Sequence, residues 1–536
     1  MTVDEAKAVV DTSRRRRLTE TTATLADDAK KALLAKYHPD YRDDAYQALR
    51  IGPNKGDRTV RELAALLEAG SPLSASLDGG SLPLTPQERA DILIIGGGGA
   101  GAAAALEAKA AGADVLLATK LRLGDSNTVM AEGGIQAAVN PDDSPVRHFA
   151  DTLKGGHFKN DRRLLKVLVE EGPSAIQWLM GQGVLFDRDE TGNLKMRSGG
   201  GTSVPRVLTC RDYTGLELMR VLKDAVINEK IRLLEFAPAV ELLSGEDGSC
   251  VGAVLKNLDT DRYIVVLGKI VILATGGSGR LHIQRFPTSN HFGATGDGLA
   301  LAYRLGAMLL YIDTFQYHPT GSVYPEPMAG LLVTEALRSA GAQLVNAKGE
   351  RFVNEMDTRD VVAAAVIREC HEGRGISTPG GRMGVWLDIP IVDQLHGEGT
   401  IEKRFPNMLR LFSRYGIDIK SAPVLIYPTL HYQNGGIKID EQGRSTVKNL
   451  LVAGEASGGL HGRNRLMGNS LLDIIVFGRR AGQTAASMVK STKDAKPTLA
   501  HLKRFEAERA KAKITSETTS PLLFPDYVRR AEQATV

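Results

Sequence analysis

Cysteine is scarce: Cys210, Cys250 and Cys370 are the only three in 536 residues, they stand far apart, and no CxxC pair occurs. A disulfide framework is therefore excluded. So is an iron–sulfur cluster held within this chain, which needs about four thiolates. Any such cluster must belong to another subunit, and no metal site is expected. Long apolar runs are missing too, because no stretch of about 18 apolar residues is present to span a bilayer. The basic start is not followed by an apolar segment of signal-peptide type. The expectation is a soluble, cytoplasmic protein. Nor does one charge dominate. A net +4 on so long a chain is near balance, and without a concentrated basic face no nucleic-acid partner is expected. The one dense basic cluster, Arg14 to Arg17, reads as a solvated, mobile tail.

Glycine, by contrast, is abundant. Its 57 copies beside 43% hydrophobic residues fit an α/β protein rich in strand–helix turns. Residues 18 to 70 read as short polar helices, and "SPLSASLDGGSLPLTPQERA" reads as a linker. From Ala90 onward, apolar strand-type runs ("DILIIG", "DVLLAT", "KIRLLEFA", "IVVLGKIVILATGG", "NLLVAGEA") alternate with helical segments, the pattern of a parallel sheet covered by helices. Between about Tyr324 and Leu425 the spacing loosens and prolines appear, which suggests an inserted second domain. After residue 490, "TLAHLKRFEAERAKAK" reads as one amphipathic helix. His38, His282 and His291 read as satisfied structural histidines.

"ADILIIGGGGAGAAAALEA" sets Gly96, Gly98 and Gly101 in GxGxxG spacing, directly after a strand and at the start of an alanine-rich helix. Lacking Cβ atoms, such a turn lets a pyrophosphate approach the helix N-terminus, whose free N–H groups and dipole favour an anion. The second strand ends in Thr119 and Lys120 instead of the usual acid, which weakens an NAD reading and leaves FAD open. "VILATGGSGR" brings Ala274, Thr275 and Gly276 at the end of another strand, suited to a close backbone approach. "NLLVAGEASGGLHGRNRLMGNSLLDIIVFGRRAG" puts Glu455 after a strand and Asn469, Ser470 and Leu471 at a helix start.

These segments resemble, in order and spacing, the flavoprotein family of succinate dehydrogenase, fumarate reductase and L-aspartate oxidase, over roughly residues 89 to 490. The resemblance implies a Rossmann-type FAD-binding domain interrupted by an α+β capping domain, with helical N- and C-terminal extensions. The expected division is 1–88 extension and linker, 89–320 and 431–490 FAD-binding domain, 321–430 cap, and 491–536 tail. It adds Asp297, Ser126, Thr128, Glu132, Gly133 and Gly134 to the expected cofactor set. In the respiratory members the loop matching "SNTVMAEGG" carries a histidine covalently joined to the flavin. Asn127 stands in its place here. An amide cannot form that link, so the FAD is expected to be non-covalent. Because the link raises the flavin potential in the family, its absence implies fumarate reduction over succinate oxidation.

Five further stretches match the family's dicarboxylate site: "FQYHPTG" with His318, "LLVTEALRSAG" with Thr334, Glu335 and Arg338, "MDTRDVV" with Arg359, "YPTLHYQNGG" with His431, and "HGRNRLMGNS" with Arg465. A planar guanidinium such as Arg465 can grip a carboxylate through two parallel hydrogen bonds. The resemblance makes His318, Thr334, His431 and Arg465 substrate ligands, Arg359 the proton donor, and Glu335 and Arg338 its relay. Glu132 and Phe186 are weaker candidates for the substrate wall. The implied partners are a C4 dicarboxylate and an iron–sulfur electron-transfer subunit. Two alternatives stand beside this reading: an L-aspartate oxidase, which also lacks the flavin-linking histidine, and a flavin electron-transfer or scaffold subunit with a vestigial pocket.

Overall fold

The computed structural model describes residues 3–74 and 84–525. Residues 75–83 of the expected linker and the end of the C-terminal tail lie outside that range.

Strand Glu88–Ile95 ends in four consecutive buried aliphatics, Ile92 to Ile95. Such a run marks a strand covered on both faces. It pairs in parallel with Val115–Ala118 on one side and Tyr263–Leu273 on the other. The sheet runs Arg232–Leu234, Val115–Ala118, Glu88–Ile95, Tyr263–Leu273, Cys250–Lys256, Ala239–Ser244. The expectation of a purely parallel sheet is corrected at its far side. Cys250–Lys256 runs antiparallel to both its neighbours, because short turns connect these strands where no helix intervenes. Beyond Leu267 the long strand changes partner and pairs in parallel with Leu450–Val452. That exchange brings a distant stretch of chain, and with it Glu455, to the end of the sheet where the GxGxxG turn lies.

The alanine-rich helix Gly99–Ala110 packs against Asn469–Val489. Gly478 and Gly482 permit the approach, since a Cβ at these positions would stand 2.7 and 2.3 Å from the carbonyl oxygens of Ala100 and Ala104.

A second, antiparallel sheet is ordered Phe315–Ser322, Val424–Gln433, Met383–Asp388, Gln343–Val345. It has a separate apolar core around Leu337, Val362, Leu387 and Phe412. Helix Arg359–His371 lies on it. Its strand Phe315–Ser322 starts before residue 321 and its strand Val424–Gln433 continues past residue 430, so this sheet extends over both edges of the expected cap.

The N-terminal segment departs from the expected solvated tail. Val3–Arg17 is a helix whose Ala6 and Val10 pack with Val345, Trp386 and Leu425. Arg17 is fully buried. Its Nη2 donates to Asp388 at 2.8 Å and its Nη1 to Gln343 at 2.7 Å, while Arg14 donates to the same Asp388 from Nε and Nη2. An arginine run cannot reveal this, because its buried carboxylate lies more than 370 positions away. Helix Asp27–Tyr37 then packs on Arg359–His371. Further on, Tyr46 and Thr59 donate to the carbonyls of Asp313 and Ile312, and Leu63, Leu66 and Leu67 enter the core of the first sheet. The segment is a strap touching both sheets.

Candidate active site

The GxGxxG turn is built as its residues require. Gly96 has φ +123°, and a Cβ on it would lie 2.2 Å from the Ala274 carbonyl oxygen. A Cβ on Gly101 would lie 1.9 Å from the Gly96 carbonyl oxygen. Only glycine fits either position. Gly98 caps the helix start, and the Gly99 N–H donates to Thr128 Oγ1 at 3.2 Å. Around this turn opens a cleft that is partly open to solvent and holds about 1380 Å³ of empty space.

Of the expected cofactor residues, Gly96, Gly98, Thr119, Lys120, Ser126, Asn127, Thr128, Ala274, Thr275, Gly276, Asp297, Glu455, Ser470 and Leu471 line that cavity. Gly101, Glu132, Gly133, Gly134 and Asn469 do not. Asn469 is fully buried and bonds His148 and Thr152, so it anchors a neighbouring helix. Gly134 has φ +109° and abuts Leu208. Glu132 accepts from Asn407, and burial together with Asp212 pushes its carboxyl well above the ordinary range. Phe186 belongs to the main core. His291, which the sequence presents as structural, lines the cavity.

Polar groups around the cavity hold one another. Asn127 Nδ2 donates to Asn290 Oδ1 (2.7 Å) and Glu455 Oε2 (3.1 Å), and its Oδ1 accepts the His291 N–H. Lys120 Nζ donates to Asp297 Oδ2 at 2.5 Å and to the carbonyl of Leu523, so the chain's C-terminal stretch reaches the cavity rim. A long apolar cavity with a glycine turn and an open helix N-terminus at one end fits a dinucleotide with a flat aromatic ring system such as FAD.

At the other end the cavity meets Leu332, His431, Tyr432 and Arg465. Here the second sheet contributes. The ladder steps from Gln316 opposite Tyr432 to Tyr317 opposite Leu430, leaving His431 as the extra residue of a β-bulge. Bulges redirect side chains next to functional sites. The His431 and His318 rings meet edge to face with centroids 5.1 Å apart. The Thr320 N–H donates to His318 Nδ1, which leaves Nε2 as that ring's donor.

Glu335 sits at the start of helix Glu335–Ser339, and Arg359 at the start of Arg359–His371. Arg359 Nε donates to Glu335 Oε2 at 2.7 Å, Arg338 Nη2 donates to the same oxygen at 3.0 Å, and the Gly200 N–H occupies Oε1 at 2.9 Å. Burial would raise the Glu335 carboxyl, but the two guanidiniums outweigh it and bring it down to about 2. Burial lowers Arg465 to about 9, helped by the Arg359 charge. Burial and the nearby arginines push both His318 and His431 well below the ordinary imidazole range, so both rings are neutral. Thr334 caps the Glu335 helix, accepting the Ala336 N–H at 3.4 Å, and, like His318, Glu335, Arg338 and Arg359, it lies behind the cavity lining.

One central residue is invisible to the sequence motifs. Gln316 Oε1 accepts from Arg359 Nη1 at 2.9 Å and from Arg465 Nη2 at 2.8 Å, while its Nε2 donates to Asn464 and to the Arg465 carbonyl. A signal exists, because Gln316 lies two positions before His318 on one strand, and alternate residues share a face. Gly200 is equally hidden, since a backbone donor leaves no mark in residue type.

The family model described as "FAD binding domain" matches residues 91–471. The chain is 42% identical over 451 residues to a subunit of the fumarate reductase (CoM/CoB) of Methanothermobacter marburgensis, spanning 82% of this chain and 80% of that protein. It is 36% identical over 417 residues to the L-aspartate oxidase of Streptomyces coelicolor, spanning 75% and 70%. Among solved structures, a variant of E. coli quinol fumarate reductase superimposes with a TM-score of 0.71 at 31% identity, covering 79% of this chain and 74% of that one. The chain therefore belongs to the FAD-binding family of flavin-dependent oxidoreductases that contains the fumarate reductase, succinate dehydrogenase and L-aspartate oxidase flavoproteins, and its cofactor is FAD.

Proposed function

We propose that this protein is a fumarate reductase-type flavoprotein subunit that binds FAD without a covalent link and reduces a C4 dicarboxylate. The observation that carries the proposal is the saturation of Glu335. It is the one carboxylate bonded to the site arginines among the described residues, and both its oxygens are already occupied. The site thus offers Arg359, Arg465 and two imidazole rings to a substrate's carboxylates, while Glu335, the carboxylate bonded to those arginines among the described residues, is already committed and leaves no oxygen for an α-ammonium group. A dianion without an amine suits it better than L-aspartate.

Arg465 is prepared to hold one carboxylate. Its guanidinium is positioned by Gln316 and Ser470 and lies over the Tyr432 ring, and its buried Nε has no partner among the described residues. His431 and His318 add neutral N–H donors, and Thr334 keeps the Glu335 helix in place. When bound, the flavin supplies the two electrons as hydride. The proton for the other carbon comes from Arg359, whose Nε is committed to Glu335 and whose Nη1 is committed to Gln316, leaving Nη2 to face the substrate. As Arg359 gives up its proton, the charge that depresses the Glu335 carboxyl disappears. Its proton affinity then rises, and it can take a proton from Arg338 and return it to Arg359.

The relative named as a subunit of a CoM/CoB fumarate reductase favours the same substrate. With three separated cysteines the chain cannot hold an iron–sulfur cluster of its own, and the donor we propose is a partner iron–sulfur subunit. The expected division into FAD-binding domain, cap and extensions is part of this proposal. Assaying the FAD-loaded protein with reduced viologen and fumarate should give rapid oxidation of the dye. Brisk oxidation of L-aspartate by oxygen without fumarate reduction would replace this reading with the oxidase.

A further inference from the structure

A second cavity, of about 640 Å³, lies where the N-terminal strap meets the cap helix and the flavin-binding body. The strap lines it with His38, Asp40 and Tyr41, the body with His157, Lys159 and Arg463, and the cap helix with Asp360. The family match begins at residue 91, so the strap wall is outside it.

The sequence presents His38 as a satisfied structural histidine, and it is not one. It is 4% exposed, and its Nδ1 accepts the Asp40 backbone N–H at 3.3 Å. Burial holds the ring neutral, lowering its pKa to about 4. The single ring proton is therefore on Nε2, and Nε2 is buried without a hydrogen-bond partner among the described residues. Tyr41 and Tyr317 pack edge-on against the ring with centroids 6.2 and 5.6 Å away, which keeps it from turning toward another acceptor.

The charges around this donor are largely cancelled, with one exception. His157 Nε2 lies 2.8 Å from Asp360 Oδ2, and Arg463 grips both oxygens of Asp313 at 3.2 and 2.9 Å. Burial pushes the Asp40 carboxyl well above its ordinary range, toward the neutral acid. Lys159, exposed at the rim, has no ion pair among the described residues. A buried N–H donor in a cavity that also has an unpaired lysine at its rim suits an acceptor that carries negative charge.

We propose that this cavity is a binding site for a small oxyanion, a carboxylate or a phosphate, whose oxygen accepts the His38 Nε2–H while Lys159 balances its charge. The site is wired to the arginine cluster. Asp360 follows Arg359 and accepts from Asn464 Nδ2 at 3.2 Å, and Asn464 Oδ1 accepts from Gln316 Nε2 at 2.9 Å. An anion here acts one hydrogen-bonded chain away from the residue that positions Arg359 and Arg465, so its occupancy should alter turnover. The proposal stands independently of whether fumarate is the substrate.

The test is calorimetric titration of the FAD-loaded full chain with sodium acetate and, separately, with sodium phosphate, at constant ionic strength. The wild-type protein should bind an anion saturably at this cavity, in addition to any carboxylate held by the flavin-side arginines. His38→Phe, which keeps the ring packing but removes the donor, should weaken that binding roughly tenfold. Lys159→Glu, a surface change that leaves the fold intact, should weaken it to a similar extent, and the change in turnover caused by added acetate or phosphate should be smaller in both variants than in the wild-type protein. A preference for acetate would point to a free carboxylate, and one for phosphate to inorganic phosphate or its esters. Absence of saturable binding, or binding unaffected by both substitutions and therefore seated at the flavin-side arginines, would overturn the proposal.

Discussion

Gln316 holds two guanidiniums of like charge on a single carbonyl oxygen, at 2.9 and 2.8 Å. Repulsion between Arg359 and Arg465 is tolerated because the amide supplies an acceptor without adding a negative charge that would compete with substrate. Gln316→Leu should therefore release both arginines and lower kcat/KM by about a hundredfold, ~2.7 kcal/mol, with FAD still bound. A change confined to protein stability would show that the amide is only a core filler. Arg359→Gln should cut turnover by several orders of magnitude while FAD binding persists. If only KM rose, Arg359 would belong to the carboxylate clamp.

The titratable neighbours of these arginines set an acid limit. Glu335 is held down to about 2 from an ordinary 4.5, so the stability it contributes is complete above 4.5 and is lost as pH falls from there toward about 2. His318 and His431 are pushed below 6.5. Below that pH the unfolded chain binds protons that the folded rings refuse, so stability declines there as well. In melting curves against pH, His431→Gln should flatten the decline that begins below 6.5, and Glu335→Gln the further decline below 4.5. Curves parallel to wild type over both ranges would contradict these assignments.

At the level of elements, the N-terminal strap joins the second sheet to the first. Helix Val3–Arg17 is fastened by Asp388, which receives both Arg14 and Arg17 in a largely buried setting. Asp388→Ala would leave Arg17 buried without its carboxylate, which should cost about 3–5 kcal/mol. Thermal melting should reveal a lower transition with a normal flavin content, and an unchanged transition would mean that the helix is only loosely attached. The strap's second helix lies on the helix that begins with Arg359, so its docking also bears on where that guanidinium stands.

For the whole molecule, the absence of a flavin-linking histidine at Asn127 has a visible consequence. Acid precipitation should leave a colourless pellet and a yellow supernatant, and flavin fluorescence remaining with the denatured polypeptide would refute a non-covalent FAD. The resemblance to the family ties the missing link to a lower flavin potential. Fumarate reduction with a low-potential donor should then be much faster than succinate oxidation. Comparable rates in both directions at matched driving force would end the directional claim.

Much of this is legible in the chain, for local reasons. The GxGxxG turn, the buried run Ile92 to Ile95 and the small-residue helix after it are dictated by backbone sterics and by burial on both faces, which a short window of sequence records. The substrate-side motifs are equally local, so His318, Glu335, Arg359, His431 and Arg465 are identifiable one by one. Their convergence is not, because it depends on a β-bulge at His431 and on two helices starting at one point in space. Gln316 looks like an ordinary strand residue until two arginines from remote segments meet on its oxygen. Arg17 looks solvated until Asp388 arrives from the second sheet, and His38 looks satisfied until docking of the strap buries its Nε2 without an acceptor among the described residues. Residue type records what a side chain can do, whereas the partner that decides its charge, burial and role is supplied by long-range packing.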